Sequence, residues 1–597
     1  MTLKLIQYKP KIFRILNQKF TRNFSLSLKS QNERKPSYYH RIENEKLKYL
    51  TFGQLLKSSA EKFANRQALV SCAENNRSIT FAEALDKSDR LASGLLNLGL
   101  EKGDRVGIWS PNYEFWYISM MATARAGFVC VALNPAYTLS ELEYRIEKVD
   151  IKAIISPEIF RKQKHYEMLS NLIPAMKDAK TGSSNWQNSK NTLSKVIINS
   201  DKLLPGAINF NELLKISTEN DVKKIEEIQS KISPDDGCNI QFTSGTTGKS
   251  KAALLSHFSM INNGYDIGIR HEFDKKPARI CVNVPFFHVY GCVAAIANSL
   301  CHGATLVLPA PHFSPEDALK AIVKEKCTAI YGTPTMFVDL VAKQKELKLN
   351  LPEIPIANTG GSICTPQLVK DVTGILKVKK FRSFYGLTET SAIAFQSLPE
   401  DSSQSVEDYV GTVSNNLEVK VIDRDGNLVK FGEPGELCVR GYSVMLGYWN
   451  DEVKTKEVLG EDRWLKTGDQ FILNENGVGK ISGRYKEMII RGGENLFPRE
   501  IEDFLNTHED ILETHVIGIP DERMGEEVGA FIRVKDKTKK LTREEIKKFC
   551  KGKLSHFKIP RYVIIVDEFP KTTSGKIQKF KFPEMYAKEI EEAKLQK

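Results

Sequence analysis

Gln241-Phe242-Thr243-Ser244-Gly245-Thr246-Thr247-Gly248-Lys249-Ser250-Lys251 joins an apolar run, 238–242, to another, 252–255. The pattern predicts strand, loop, strand. Glycine permits φ > 0 and close backbone approach, so successive N–H groups in such a loop can turn inward as an anion-binding nest. The hydroxyls add donors, and Lys251 adds a mobile positive charge. These are the groups that hold a polyphosphate. Gly248-Lys249-Ser250 fits the end of the GxxxxGK[ST] pattern, but the first glycine of that pattern would fall on Thr243. The loop also leads into a strand-like run rather than opening a helix. A flexible Ser/Gly/Thr linker is the bland alternative.

At 597 residues, with 41% hydrophobic and 27% charged residues, the chain has room for two or more domains and a large core. The sequence holds no apolar run of the ~18 residues that a spanning helix requires. The ten cysteines are scattered, without zinc spacing, and read as reduced thiols. The first 32 residues carry seven Lys/Arg and no acid. Ile12, Leu16 and Phe20 fall on one face of a helical pattern, with Lys11, Arg14 and Gln18 on the other. An acid-free basic amphipathic segment has the composition of a mitochondrial transit peptide, and Arg22-Asn23-Phe24-Ser25 resembles a matrix-processing site cutting after Phe24. Residues 1–24 are thus expected to be a matrix-targeting segment; a peripheral membrane helix or basic tail is the alternative. Removing their six positives and no negatives from the formal +12 leaves +6, too modest for a nucleic-acid partner.

Residues 25–45 are polar and read as a loose entry arm. From about 50 to 160 helical patterns (82–98, 113–125) alternate with short apolar runs (105–109, 128–131), which suggests parallel α/β units. Residues 175–195 read as a surface loop. Alternation resumes from 236 to about 400, with strands expected at 280–284, 304–308, 329–331 and 354–358. From 410 to 480 short strands with turn punctuation predict a β-rich subdomain. After Gly483 comes a small α+β unit: strands at 487–491, near Val516 and Phe531, and at 562–566, with helices at 498–508 and 541–552.

Several stretches, in order, resemble one family. The opening loop resembles the TSG[ST]TGxPKG signature of the adenylate-forming superfamily, which includes acyl-CoA synthetases, luciferases and peptide-synthetase adenylation domains. It departs at Ser250, where the pattern has proline, and at Ala252, where it has glycine; Lys251 is kept. Asn358-Thr359-Gly360-Gly361-Ser362 matches the glycine-rich segment that lies against adenine, although alone it could be any tight turn. Tyr385-Gly386-Leu387-Thr388-Glu389 resembles the YGxTE motif. The resemblance implies that Tyr385 packs on adenine, Thr388 reaches a phosphate and Glu389 holds Mg²⁺, a hard cation suited to carboxylate and phosphate oxygens. Thr467-Gly468-Asp469 resembles the ribose-binding motif, and Arg484 the arginine contacting the same nucleotide. Lys486 falls where the family hinge falls, and hinges absorb large φ/ψ changes. Gly492 and Gly493, in Arg491-Gly492-Gly493-Glu494-Asn495, match the loop that lines the thiol tunnel. Pro570-Lys571-Thr572-Thr573-Ser574-Gly575-Lys576 matches the terminal PKTxSGK motif, with Lys576 as the adenylation lysine; standing alone it would be a solvated basic tail.

In Pro285-Phe286-Phe287-His288-Val289-Tyr290-Gly291, His288 matches the residue beside the reacting carboxylate. Taken alone it reads as a core histidine on an apolar strand. No Asp stands in this motif to pair with an amino group, which disfavours an amino-acid substrate. The resemblance covers about 50–585. It implies an α/β fold with a large domain, 25–485, made of parallel α/β subdomains plus a β-rich one, and a small mobile α+β domain, 486–597. The implied activity is that of a mitochondrial acyl-CoA synthetase of the medium-chain fatty-acid type. It would use ATP, Mg²⁺ and coenzyme A with a small carboxylic acid. An aryl-CoA ligase or luciferase-like adenylase shares every nucleotide motif. A nucleotide-binding pseudoenzyme would explain Ser250 and Ala252 as decay.

Overall fold

The computed structural model describes residues 35–188, 191–243, 250–360, 364–492, 494–536, 538, 541–572 and 575–595. The expected targeting segment, 1–24, lies outside the described residues.

Helix Phe81–Asn97 starts where Thr80 accepts from the Glu83 amide and Glu83 accepts in return from the Thr80 amide (2.7 Å). That reciprocal cap satisfies two donors a helix start leaves over. The next helix, Glu114–Ala126, is buried along its whole length and ends on Gly127 at φ 74. A helix apolar on every side belongs inside a core. Around such helices stand two large sheets. The first runs through Lys195–Asn199, Ile151–Pro157, Arg105–Trp109, Val129–Leu133 and Gly237–Thr243 in parallel. Lys251–Ser256 then joins it antiparallel. The second aligns Gln67–Ser71, Thr305–Leu308, Arg279–Val282, Ala329–Gly332, Ile354–Gly360 and Val378–Tyr385 in parallel. Short antiparallel strands close both of its edges. Residues from both sheets and their helices share one continuous core.

The β-rich stretch forms a five-stranded antiparallel sheet that ends at Arg484. Two details differ from expectation. Tyr38–His40, placed in a loose arm, is an edge strand of this sheet paired with Glu418–Lys420. Gly447–Tyr448, within the β-rich stretch, instead pairs with Ala253 and Leu254 of the first large sheet. The expected surface loop, 175–195, opens with a single helical turn, Pro174–Met176, and its last residue begins the strand Lys195–Asn199. Between them it carries no helix or strand among its described residues, yet it packs closely: Trp186 Nε1 donates to the Gly206 carbonyl (2.7 Å). Past Tyr485–Glu487, a short 3₁₀ turn, the small unit has its own sheet and two core clusters of its own. Its longer helices are Pro498–Leu505, Arg543–Cys550 and Ala587–Leu595, with a single turn at Phe582–Met585. Among the described residues no helix is long and apolar enough to cross a membrane.

Candidate active site

Antiparallel pairing of Gly237–Thr243 with Lys251–Ser256 sets Thr243 directly opposite Lys251, so the loop leaves and re-enters the sheet at one point. Ser244, Gly245, Thr246, Thr247, Gly248 and Lys249 lie outside the described residues. Both ends of the loop are described. The Thr243 hydroxyl is buried without a partner among the described residues. Ser250 Oγ accepts from Arg145 Nη2 (2.8 Å), and its carbonyl accepts from the Tyr144 hydroxyl (3.1 Å). Lys251 Nζ donates to the Tyr448 hydroxyl (2.6 Å), which donates to Glu389 Oε1 (2.7 Å); Nζ and Oε1 stand 4.0 Å apart. Burial lowers the Lys251 pKa, and the charge of Lys486 adds to the effect, against the pull of Glu389.

Glu389 and Thr388 sit on a tight turn after strand Val378–Tyr385. Gly386 is required there, because a Cβ would run into the Ala392 carbonyl. The chain then passes through Ser391 and Ala392 at φ 50 and 94, conformations costly for residues with a side chain. Buried Asn263 braces this bend, its Nδ2 donating to the Thr390 (3.0 Å) and Ile393 (3.2 Å) carbonyls. Tyr385 donates its hydroxyl to Asp469 Oδ2 (2.6 Å), and Arg484 Nε donates to Oδ1 (3.0 Å). Asp469 is 1% exposed. Its burial raises the carboxyl pKa despite Arg484 and Tyr385. Each carboxylate oxygen keeps a second lone pair, so both can still receive a diol.

His288, Gly360, Thr388 and Lys576 line one open-mouthed cavity. Val284, Val289, Tyr290, Ala294, Phe384 and Ile393 give it apolar walls. Residues 285–291 are not the strand their apolar character suggests. They form turns that enter the π-helix Tyr290–Ala297, because an apolar run alone does not tell strand from helix. The Tyr290 amide donates to His288 Nδ1 (3.2 Å), which leaves the imidazole proton on Nε2. Burial, with Lys576 adding to it, lowers the His288 pKa to about 3. His288 is therefore a neutral donor. Lys576 stands at the end of a tight turn in which its amide donates to Thr572 Oγ1 (3.0 Å) and its carbonyl accepts from the Thr572 amide (2.8 Å). Thr335 Oγ1 donates to the Gly575 carbonyl (3.4 Å), tying this turn to the large domain. Burial lowers the Lys576 pKa, as does Arg484, while Asp469 and Glu389 oppose them.

Lys486 is exposed on the 3₁₀ turn Tyr485–Glu487. Gly492, at φ 58, packs where a Cβ would meet the Met524 methyl, and it does not line the cavity. Gly361 and Gly493 lie outside the described residues. Among the described residues no group of three or more His, Cys, Asp or Glu could hold a metal. One carboxylate, Glu389, fits a Mg²⁺ that arrives with phosphates, since that ion keeps several waters and takes only one or two carboxylates. Tyr448, Arg145 and Asn263 carried no motif signal, and each acts on the site from a segment distant in sequence.

An "AMP-binding enzyme" family match covers residues 56–449, and an "AMP-binding enzyme C-terminal domain" match covers 500–576. The chain is 41% identical over 556 residues to medium-chain acyl-CoA ligase ACSF2, mitochondrial, of Danio rerio, covering 93% of this chain and 91% of that protein. The human protein of the same name is 41% identical over 559 residues, covering 93% and 90%. Among solved structures, ATP-bound MatB from Rhodopseudomonas palustris superposes with TM-score 0.75 at 25% identity, covering 89% of this chain and 99% of that one. Anthranilate CoA ligase AuaEII with anthranoyl-AMP reaches TM-score 0.76 at 22% identity over 90% and 97%, a likeness of fold. With the family match alone spanning most of its length, the chain belongs to the AMP-binding enzyme family.

Proposed function

We propose that this chain is an ATP-dependent, AMP-forming acyl-CoA synthetase acting on medium-chain fatty acids in the mitochondrial matrix. The observation that carries the reading is the shared cavity, in which apolar walls lead to His288, Thr388 and Lys576 together. The identity to medium-chain ligases supports the chain-length class. In the first step a carboxylate oxygen attacks the α-phosphorus of ATP and pyrophosphate leaves. In the second, the thiol sulfur of coenzyme A attacks the acyl carbonyl and AMP leaves. No side-chain nucleophile is needed, because positioning and charge neutralisation carry the chemistry. The Nε2–H of His288 orients the carboxylate, and the Lys576 ammonium bridges it to the α-phosphate. Asp469 takes the ribose hydroxyls with Arg484 beside it, Tyr385 stacks near adenine, and Gly360 and Gly361 let the base approach the backbone. Thr243 through Lys251 cradle the phosphates, with Thr388 donating to one of them. Glu389 would hold Mg²⁺, which when bound neutralises phosphate charge. Residues 486–597 then turn about Lys486, bringing Gly492 and Gly493 to the pantetheine arm. A pyrophosphate-release screen across carboxylic acids, with and without CoA, tests this reading. Medium-chain acids should give the highest rates; no release with any acid, or faster release with aryl acids, refutes it.

A further inference from the structure

The segment 445–449 touches both halves of the nucleotide machinery. The Leu446 amide donates to the Leu254 carbonyl (2.9 Å) and the Trp449 amide to the Ala252 carbonyl (2.7 Å), so the segment is laced to the strand that begins at Lys251. At its other end the Met445 amide donates to the Glu389 carbonyl (2.9 Å). Tyr448 lies between, 5% exposed, with its amide donating to Thr455 Oγ1 (2.9 Å). Its ring lies 4.2 Å from Lys251 Nζ. Its hydroxyl accepts from Lys251 at 2.6 Å and donates to Glu389 at 2.7 Å.

We infer that Tyr448 is a positioning residue for the adenylating step, whose hydroxyl keeps the Lys251 ammonium and Glu389 carboxylate aligned but apart. Opposite charges in a partly buried site attract strongly. At 4.0 Å these two stand just beyond hydrogen-bonding distance, and in direct contact each would neutralise the other. The intervening hydroxyl occupies one ammonium proton and one carboxylate lone pair. Two protons stay available to a phosphate, and the second carboxylate oxygen to a phosphate-borne Mg²⁺. A merely structural Tyr448 would need only its ring and backbone, both of which Tyr448→Phe preserves.

The inference rests on the reading of Lys251 and Glu389 as ATP ligands, and the test separates it from the synthetase reading by measuring binding without turnover. The full chain and Tyr448→Phe are titrated calorimetrically with AMP, and with ATP at graded Mg²⁺. Loss of hydrogen bonds to two charged groups should weaken MgATP binding about ten- to a hundredfold and raise the Mg²⁺ needed for half-saturation. AMP, lacking the outer phosphates, should bind within about twofold of the unaltered chain. In a Glu389→Gln background Tyr448→Phe should add less than a further twofold. Unchanged MgATP affinity and Mg²⁺ requirement, equal weakening of ATP and AMP, or full additivity with Glu389→Gln each overturns the assignment. Failure of every carboxylic acid to release pyrophosphate overturns the synthetase reading and leaves this binding result standing.

Discussion

Lys576→Ala tests the two-step reading most sharply. In the structure Lys576 is half-buried, lining the cavity with His288 and Thr388, and lies within the fields of Asp469, Glu389 and Arg484. Part of the desolvation has therefore been met before the substrates react, which strengthens a fixed charge. Losing one such preorganised contact costs on the order of 3 kcal/mol or more, about 10²–10³ in rate. The fold has little to lose: the turn holds itself through the Thr572 and Lys576 backbones, and its tie to Thr335 is through the Gly575 carbonyl. Removing a charge that burial disfavours leaves the melting temperature unchanged or higher. Pyrophosphate release from MgATP and fatty acid should fall by two to three orders of magnitude. Conversion of supplied acyl-adenylate and CoA into acyl-CoA should persist. Lys486→Pro is the complement. It lies in a 3₁₀ turn, where φ near −60° suits proline, so the adenylating arrangement survives while rotation about that bond is lost. That variant should form acyl-adenylate and stall. If both variants lose both half-reactions equally with unchanged circular dichroism, the alternation of the small domain is wrong for this chain.

His288 protonates only near pH 3, so kcat/KM should show no histidine limb between about pH 5 and 7; a limb there that vanishes in His288→Gln would refute the neutral assignment. Lys251 and Lys576 are both lowered from the ordinary lysine value of 10.5, and the ammonium is the working form, so kcat/KM for ATP should decline on the alkaline side below that pH. A decline only above it counts against the burial argument. Asn263→Asp replaces a donor by an acceptor facing two carbonyls, and should lower both melting temperature and adenylation, with kcat/KM down about tenfold or more; wild-type kinetics would show that the bend at Ser391 and Ala392 supports itself. A reporter carrying residues 1–35 should enter mitochondria, and a cytosolic reporter refutes the targeting role of residues 1–24.

The alternating patterns identified the parallel units because buried strands and amphipathic helices write their periods locally: 105–109 is a strand with those same bounds. Tyr38–His40 wrote no such period. It is a short edge strand with two of three residues exposed, and its partner lies some 380 positions along the chain. The site divided the same way. Asp469, Glu389 and Lys576 stand in motifs whose residue types suggest the chemistry proposed for them. Tyr448 and Asn263 are ordinary core residues until the fold brings Glu389 against one and the Thr390 carbonyl against the other. Residue type states what a side chain can do; only the tertiary contact states to whom.

Ser250 and Ala252 show how a departure from a family pattern is judged by what holds the backbone instead. Proline before Lys251 would stiffen the loop stem by fixing φ. Ser250 is held from outside: Arg145 grips its hydroxyl and Tyr144 its carbonyl, both from helix Leu139–Lys148. The Arg145 guanidinium is itself fixed, lying 3.7 Å from the Tyr137 ring and donating to the Glu141 carbonyl (2.6 Å). At 252, glycine would be needed only for positive φ or close backbone approach. Ala252 instead lies in a strand, paired with Phe242, and its carbonyl takes the Trp449 amide. Its side chain is fully buried in the core cluster that also holds Trp109, Val131 and Ile240, and alanine in that conformation restricts the unfolded chain more than glycine does. Both departures thus leave Lys251 at the head of its strand, opposite Thr243 and against Tyr448. The substitutions that suggested decay are accommodated by contacts that keep the lysine in place, which removes the sequence argument for a pseudoenzyme.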